Sequence, residues 1–316
     1  MINYINSKIM RTSLLIAFLA FAQIVMGQQD SQYTQYMYNT QTVNPAYAGS
    51  RGVLNLTGLY RTQWVGINGA PETSNFSLNT PVGNRVGLGL SFYKDKIGIS
   101  LENNIAADVS YTLPLNDDDL FMSFGMKGGV NILDVDFSQL NPNDVNDPSF
   151  SPSNNIDGQV SPIIGIGLYL RNKDKWYLGI SAPNLLNTDH YDDVTISTTK
   201  ERLHYYAIGG YVFDLNSSWK FKPAILLKGV KGAPLAADFS ANFLFNERFT
   251  LGAAYRWDSA VSGLFGFQIT NGIMLGYAYD YDVTDIGNYS NGSHEFFLRF
   301  EIGDGNNQGV VNPRFF

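Results

Sequence analysis

The stretch SHEFFLRFEI, residues 293–302, carries Phe296, Leu298, Phe300 and Ile302 at alternate positions, with Glu295, Phe297, Arg299 and Glu301 between them. Successive side chains of a β-strand point to opposite faces, so one face here is wholly apolar and the other is mostly charged. RFTLGAAYRWD repeats the pattern, with Phe249, Leu251, Ala253, Tyr255 and Trp257 opposite Thr250, Gly252, Ala254, Arg256 and Asp258. WKFKPAILLKG, LFMSFGMKGGV and IMLGYAYDY do the same, and in the last Asp280 shares the small face with Gly276 and Ala278. Trp219, Trp257, Tyr279 and Tyr281 stand at strand ends on the apolar side, where a membrane girdle needs aromatic rings.

Fourteen segments are read this way: 53–64, 72–81, 86–95, 101–114, 120–130, 160–170, 175–182, 202–214, 219–229, 236–245, 249–257, 261–270, 273–281 and 294–302. The number is even, as barrels of bacterial outer membranes prefer. Alternate connections are short and built from turn formers: VGNR, NDDD, NKD, LNSS, NE and NG. The intervening set includes the longest in the chain, 136–158, 183–201 and 283–293. That is the asymmetry between periplasmic turns and outer loops. The expected fold is therefore all-β, an antiparallel transmembrane β-barrel of about fourteen strands, and Phe297, Leu226 and Leu264 are expected to point into its lumen.

The first residues specify the compartment. Lys8 and Arg11 precede an apolar run from Leu14 to Met26 that ends at Gly27 and is too short to span a bilayer. This reads as a signal peptide over 1–27, followed by an N-terminal periplasmic or plug segment over 28–52, the barrel over 53–302 and a tail over 303–316. Without the signal, 19 Lys and Arg oppose 28 Asp and Glu, a balance of −9, which excludes binding of nucleic acid through phosphate neutralisation. There are 0 cysteines, so thiol catalysis and disulfide scaffolding are excluded together. No cofactor is expected.

Chemistry-bearing clusters are sparse. Ser293, His294 and Glu295 are adjacent in one strand, so they cannot converge as a catalytic set. His190 falls in a loop and His204 near a strand start. The loop that holds Asp144, Asp147 and Asp157 is rich in oxygen but lacks the spacing of an EF-hand. The reading is of a protein without enzymatic activity. Arg256, Asp258, Asp280, Glu295 and Arg299 come from strands close together in a meander and share the inward face, so they are expected to form a lumenal charge network that fills and stiffens the barrel.

The chain resembles the PorP/SprF family of outer-membrane proteins of the Bacteroidetes type IX secretion system. The stretches that carry the resemblance are QYTQYMYN (32–39), NPAYAG (44–49), YRTQWVGINGAPET (60–73), VGLGLSFYKDKIG (86–98), YLGISAPNLL (177–186), YRWDSA (255–260), LGYAYDYDVTDI (275–286) and GSHEFFL (292–298), in family order. The resemblance implies an outer-membrane protein of a Gram-negative, Bacteroidetes-type cell. It further implies partners among the other type IX secretion components, and a secreted cargo protein of the gliding-adhesin kind held through its C-terminal domain. The alternative reading is a passive channel or small-molecule transporter.

QYTQYMYN and NPAYAG precede the first strand and carry no charge. A short helix would place Tyr33, Tyr36 and Met37 on one side, and Asn44, Pro45 and Tyr47 would lie in a turn. With a periplasmic N-terminus, this segment either closes the barrel floor or docks a periplasmic subunit; the plain alternative is an extension that caps the first strand.

Overall fold

The structure is a computed structural model, and it describes residues 33–116, 119–140, 154–173, 175–186, 203–230 and 233–303. Its strands are β1 (Leu54–Thr62), β2 (Glu72–Val82), β3 (Val86–Ile97), β4 (Ser100–Pro114), β5 (Leu120–Val135), β6 (Ile156–Asn172), β7 (Trp176–Ala182) and β8 (His204–Tyr211). They continue with β9 (Phe213–Asp214), β10 (Trp219–Val230), β11 (Ala236–Phe245), β12 (Phe249–Arg256), β13 (Ala260–Thr270), β14 (Ile273–Asp282) and β15 (Ser293–Ile302).

Neighbours in sequence pair antiparallel, and β15 returns to β1 in register from Leu54↔Ile302 to Thr62↔His294. Both β8 and β9 pair with β10, and only Val212 separates them, so together they form one stave. The result is a closed antiparallel barrel of 14 strands, and the expected fold class holds. Closure leaves no strand edge unpaired, which a sheet in a bilayer requires.

Alternation sorts the wall as the sequence implied. Leu90, Met126, Val160, Ile180 and Leu251 face outward and are exposed, while Asn55, Thr57, Asn75, Ser77, Ser110, Ser123 and Asn131 face inward and are buried. Phe297, Leu226 and Leu264 point into the lumen. In the bilayer the outward side chains meet acyl chains, while the interior combines buried polar groups with an apolar cluster that includes Met37, Tyr47, Tyr169, Leu226, Leu264 and Phe297.

The strand bounds agree with the sequence reading except at β5 and β6. There the ladder continues past Val130↔Pro162 to Val135↔Ile156, through an irregularity at Leu133. The extension leads into the long 136–155 connection, beyond the stretch where strict alternation is needed. At the opposite end the turns are tight. Between β11 and β12, Asn246 and Glu247 both take positive φ, as the I′ hairpin geometry demands.

Candidate functional site: a chain segment inside the barrel

Residues 34–51 lie inside the lumen. Their described secondary structure is three one-turn 3-10 helices, Tyr36–Tyr38, Thr40–Thr42 and Pro45–Tyr47, in place of the single short helix expected around Tyr33, Tyr36 and Met37. A segment this short gains too few intrahelical bonds to offset nucleation, so its contacts with the wall decide its shape. The third turn has a local cause. Asn44 is its N-cap and accepts from the Ala46 amide at 3.0 Å, and Pro45 stands at the first helical position. Tyr36, Met37, Asn44, Pro45 and Tyr47 are all buried; Tyr33 is half-buried.

The segment runs down the barrel. At its start, the Thr34 and Gln35 amides donate to the Glu295 carboxylate at 2.9 and 2.8 Å, and Thr34 Oγ1 donates to Asp280 at 2.7 Å. Glu295 and Asp280 sit at the ends of β15 and β14 joined by the long 283–292 connection. Midway, Asn39 donates to Asn75 at 2.7 Å and accepts from Ser77 at 3.0 Å. Gln41 donates to Asp108 at 2.9 Å and accepts from Asn79 at 2.9 Å, and Asn44 donates to the Leu168 carbonyl at 3.0 Å. Near the tight-turn end, Ser110 donates to the Ala48 carbonyl at 2.7 Å, and Arg51 pairs with Glu301. The chain then leaves the lumen and enters β1.

Glycines in the wall make room for this path. A Cβ at Gly87 would overlap the Ala48 carbonyl, one at Gly125 the Ala46 amide, and one at Gly167 the Asn44 side chain. Aromatic contacts complete the packing. Tyr38 stacks on Phe297 with ring centres 4.9 Å apart, and Tyr47 meets Tyr169 edge-on at 5.6 Å. Phe297 in turn occupies space that a side chain at position 276 would fill, which explains Gly276 on the neighbouring strand.

The lumenal charges form two levels instead of one network. Near the long-connection end, Arg61 bridges Asp280 at 2.7 Å and Glu295 at 3.1 Å, and Arg256 pairs with Asp238 at 2.7 Å. Arg299 lies toward the tight-turn end, 3.9 Å from Glu301. Asp258 corrects the sequence expectation: β12 ends at Arg256, Asp258 takes positive φ in the following turn, and its exposed carboxylate accepts from Trp257 Nε1 at 2.9 Å. Alternation cannot be carried past the last strand residue. Arg61, Asp238, Asp108 and Lys127, the last two joined at 2.9 Å, were missed. Each stands at an inward position of its strand, so the period-two pattern would have found them once applied to every strand.

Other expected clusters carry no site. Ser293 and Glu295 face inward and His294 does not; its Nδ1 meets Tyr277 Oη at 2.8 Å. His204 is buried at the start of β8. His190, Asp144 and Asp147 lie outside the described residues, and Asp157 is exposed. Among the described residues no group of three or more His, Asp or Glu could hold a metal ion.

Residues 25–300 match the model of a family described as type IX secretion system membrane protein PorP/SprF. The chain belongs to the PorP/SprF family. This PorP/SprF chain is therefore an outer-membrane barrel and a component of type IX secretion, which implies association with other components of that system. No curated protein matches the sequence. Among solved structures, the barrel is similar to the outer membrane protein Omp33 of Acinetobacter baumannii at 8% identity and a TM-score of 0.48, over 79% of this chain and 99% of that one. It is similar to the CymD monoaromatic hydrocarbon channel at 14% identity and a TM-score of 0.48, over 88% and 95%. The KdgM porin follows at 7% identity and 0.40, over 79% and 99%.

Proposed function

We propose that this PorP/SprF protein is a plugged, non-enzymatic scaffold that holds a secreted partner through the partner's C-terminal domain, at the mouth formed by the long connections. The observation that carries the reading is the occupied lumen: residues 34–51 are tied to the wall by buried side chains from β2, β4, β14 and β15. A transport channel needs an open aqueous path, whereas a scaffold needs a rigid barrel. In this reading Tyr33, Tyr36, Met37, Asn44, Pro45 and Tyr47 are plug residues, the tight turns are periplasmic, and the cargo is of the gliding-adhesin kind.

The test combines affinity purification of the tagged protein from outer membranes in mild detergent with conductance in planar bilayers. Co-purification of a large secreted protein, lost when its C-terminal domain is deleted, together with a closed barrel is the expected result. Recovery of the barrel alone, with steady ion conductance, would overturn the scaffold and make a passive channel the leading reading. Deleting residues 29–49 separates the parts of the proposal: conductance should appear if the segment is a plug, and the current should stay closed if it only caps β1.

A further inference from the structure

The plug has a direction. Its last lumenal residue, Arg51, pairs with Glu301 beside the tight turns, and Gly52 beyond it is exposed. Thr34 begins it at the opposite end. Thr34 Oγ1 donates to Asp280 at 2.7 Å and accepts from Arg61 Nη1 at 3.1 Å, while the Thr34 and Gln35 amides donate to Glu295. Arg61 is the penultimate residue of β1, Asp280 lies two residues before the end of β14, and Glu295 is the third residue of β15. All three stand where the strands run into the 63–71 and 283–292 connections. Burial falls away at the same place: Thr34 is 4% exposed, whereas Tyr33 is half-buried.

The rim beside this point is a built structure. The Trp64 amide donates to Ser293 Oγ at 3.2 Å, and its indole Nε1 donates to Asp282 at 3.4 Å. The Val65 amide donates to the Gly292 carbonyl at 2.9 Å, and the Asn291 amide donates back to the Val65 carbonyl at 2.8 Å. These bonds join the two connections into one lip. Trp64 holds a φ of 47°, which is strained for a bulky side chain and persists only where the surroundings fix it. Gly292 takes a φ of 80° on the facing strand of the lip, where glycine carries no such strain.

A chain that begins its descent at this end either arrives from the mouth or doubles back through the lumen. The way back is occupied: Asn39, Gln41 and Asn44 take partners from β2, β4 and β6, and Tyr38 stacks on Phe297. We propose that the chain before Tyr33 leaves the barrel across the lip of Trp64, Val65, Asn291 and Gly292, so that, with the signal peptide removed, the N-terminal end of the protein stands on the cell surface. β1 does start at the tight-turn end, as the sequence implied; the plug adds one further crossing of the barrel before it. The proposal rests on the reading that the long connections face outward. A partner held at that mouth then meets the free end of the plug as well as the connections, and the bonds from Thr34 and Gln35 to Glu295 tie that end to the β1–β15 seam.

The chain has 0 cysteines, so single-cysteine variants of the full-length protein can be read without background. Ser31→Cys is compared on intact cells with Tyr289→Cys in the 283–292 connection and Asn84→Cys in a tight turn, using a membrane-impermeant maleimide. Tyr289 is 79% exposed, and Asn84 is exposed at the other end. Heat-modifiable migration shows that each variant has assembled, and Gln29→Cys repeats the measurement if Ser31→Cys has not. Ser31→Cys should label to the same extent as Tyr289→Cys, with Asn84→Cys reacting only after the outer membrane is permeabilised. If Tyr289→Cys reacts on intact cells while Ser31→Cys reacts only after permeabilisation, or not at all, the proposal is overturned and the scaffold reading stands. Labelling of Asn84→Cys in place of Tyr289→Cys would invert the barrel and overturn both.

Discussion

Arg61 and Glu295 stand directly opposite each other across the β1–β15 seam, and their 3.1 Å ion pair is buried at the point where the Thr34 and Gln35 amides reach the same carboxylate. The closing of the barrel and the seating of the plug therefore share one side chain. Arg61 also holds Asp280 at 2.7 Å, so a single guanidinium serves two carboxylates. Replacing it with Met strands both of them away from water. Arg61→Met should destabilise the barrel by on the order of 3–5 kcal/mol, read as a lower midpoint of heat-modifiable migration. The double variant Arg61→Met/Glu295→Gln should recover part of that loss, and additive losses would mean that the pair is not coupled.

Gly125 separates the plug from the wall. A methyl group there would collide with the Ala46 amide, whereas one at Gly128 in the same strand would meet nothing within 4 Å. Gly125→Ala should cost about 1–3 kcal/mol of overpacking and should expose residues 34–51 to protease in detergent. Gly128→Ala should leave the digestion pattern unchanged. Equal digestion of the two variants would mean that the segment is not held against β5.

Asn44 makes both of its side-chain contacts inside the barrel, capping the Pro45–Tyr47 turn at 3.0 Å and donating to the Leu168 carbonyl at 3.0 Å. Asn44→Ala should cost about 1–2 kcal/mol. Asn44→Asp keeps the capping oxygen but aims a carboxylate at a carbonyl, so it should be no better than alanine. If it restores the parent midpoint, capping alone would explain the residue.

Outside the membrane, Asp136 accepts from the Ser138 hydroxyl and from Gln139 Nε2, and these bonds hold its carboxyl below the ordinary aspartate range. A depressed folded value means that the contribution is present above the unfolded pKa of about 3.9 and is lost as pH falls through the folded value. The 136–139 turn should therefore keep its structure from neutral pH down to about pH 4, and Asp136→Asn should remove the acid transition at this site. Side-chain carboxyl chemical shifts followed by NMR titration would check it. An Asp136 that titrates at or above about 3.9 would contradict the geometry.

Most of the barrel was legible because its logic is local. A strand's two faces follow from backbone geometry, so Phe296, Leu298 and Phe300 declare their side without reference to any other part of the chain. The reading failed where the backbone stopped being a strand. Asp258 lies two residues beyond the end of β12, and a turn residue at positive φ no longer obeys the alternation. The plug was legible as one of several readings of an uncharged segment that precedes the first strand, but its path was not. Its residues Gln35, Asn39, Gln41 and Asn44 satisfy themselves on side chains and carbonyls of β2, β4, β6 and β15, and no local pattern encodes those partners.

The amino-acid sequence alone specifies an outer-membrane barrel with fourteen staves, a lumen that mixes charged and apolar side chains, tight turns at one end and long connections at the other. Each of these is the sum of choices made within about ten residues, where strand period and turn chemistry operate. It took the folded barrel to lay residues 34–51 along the inner wall, to set Arg61 against Glu295 across 234 positions, and to bury Arg299 beside Met274 and Glu301. Those facts depend on which strands the closed sheet brings face to face. Closure is a property of the whole ring, so nothing in one segment can announce its partner on the far wall.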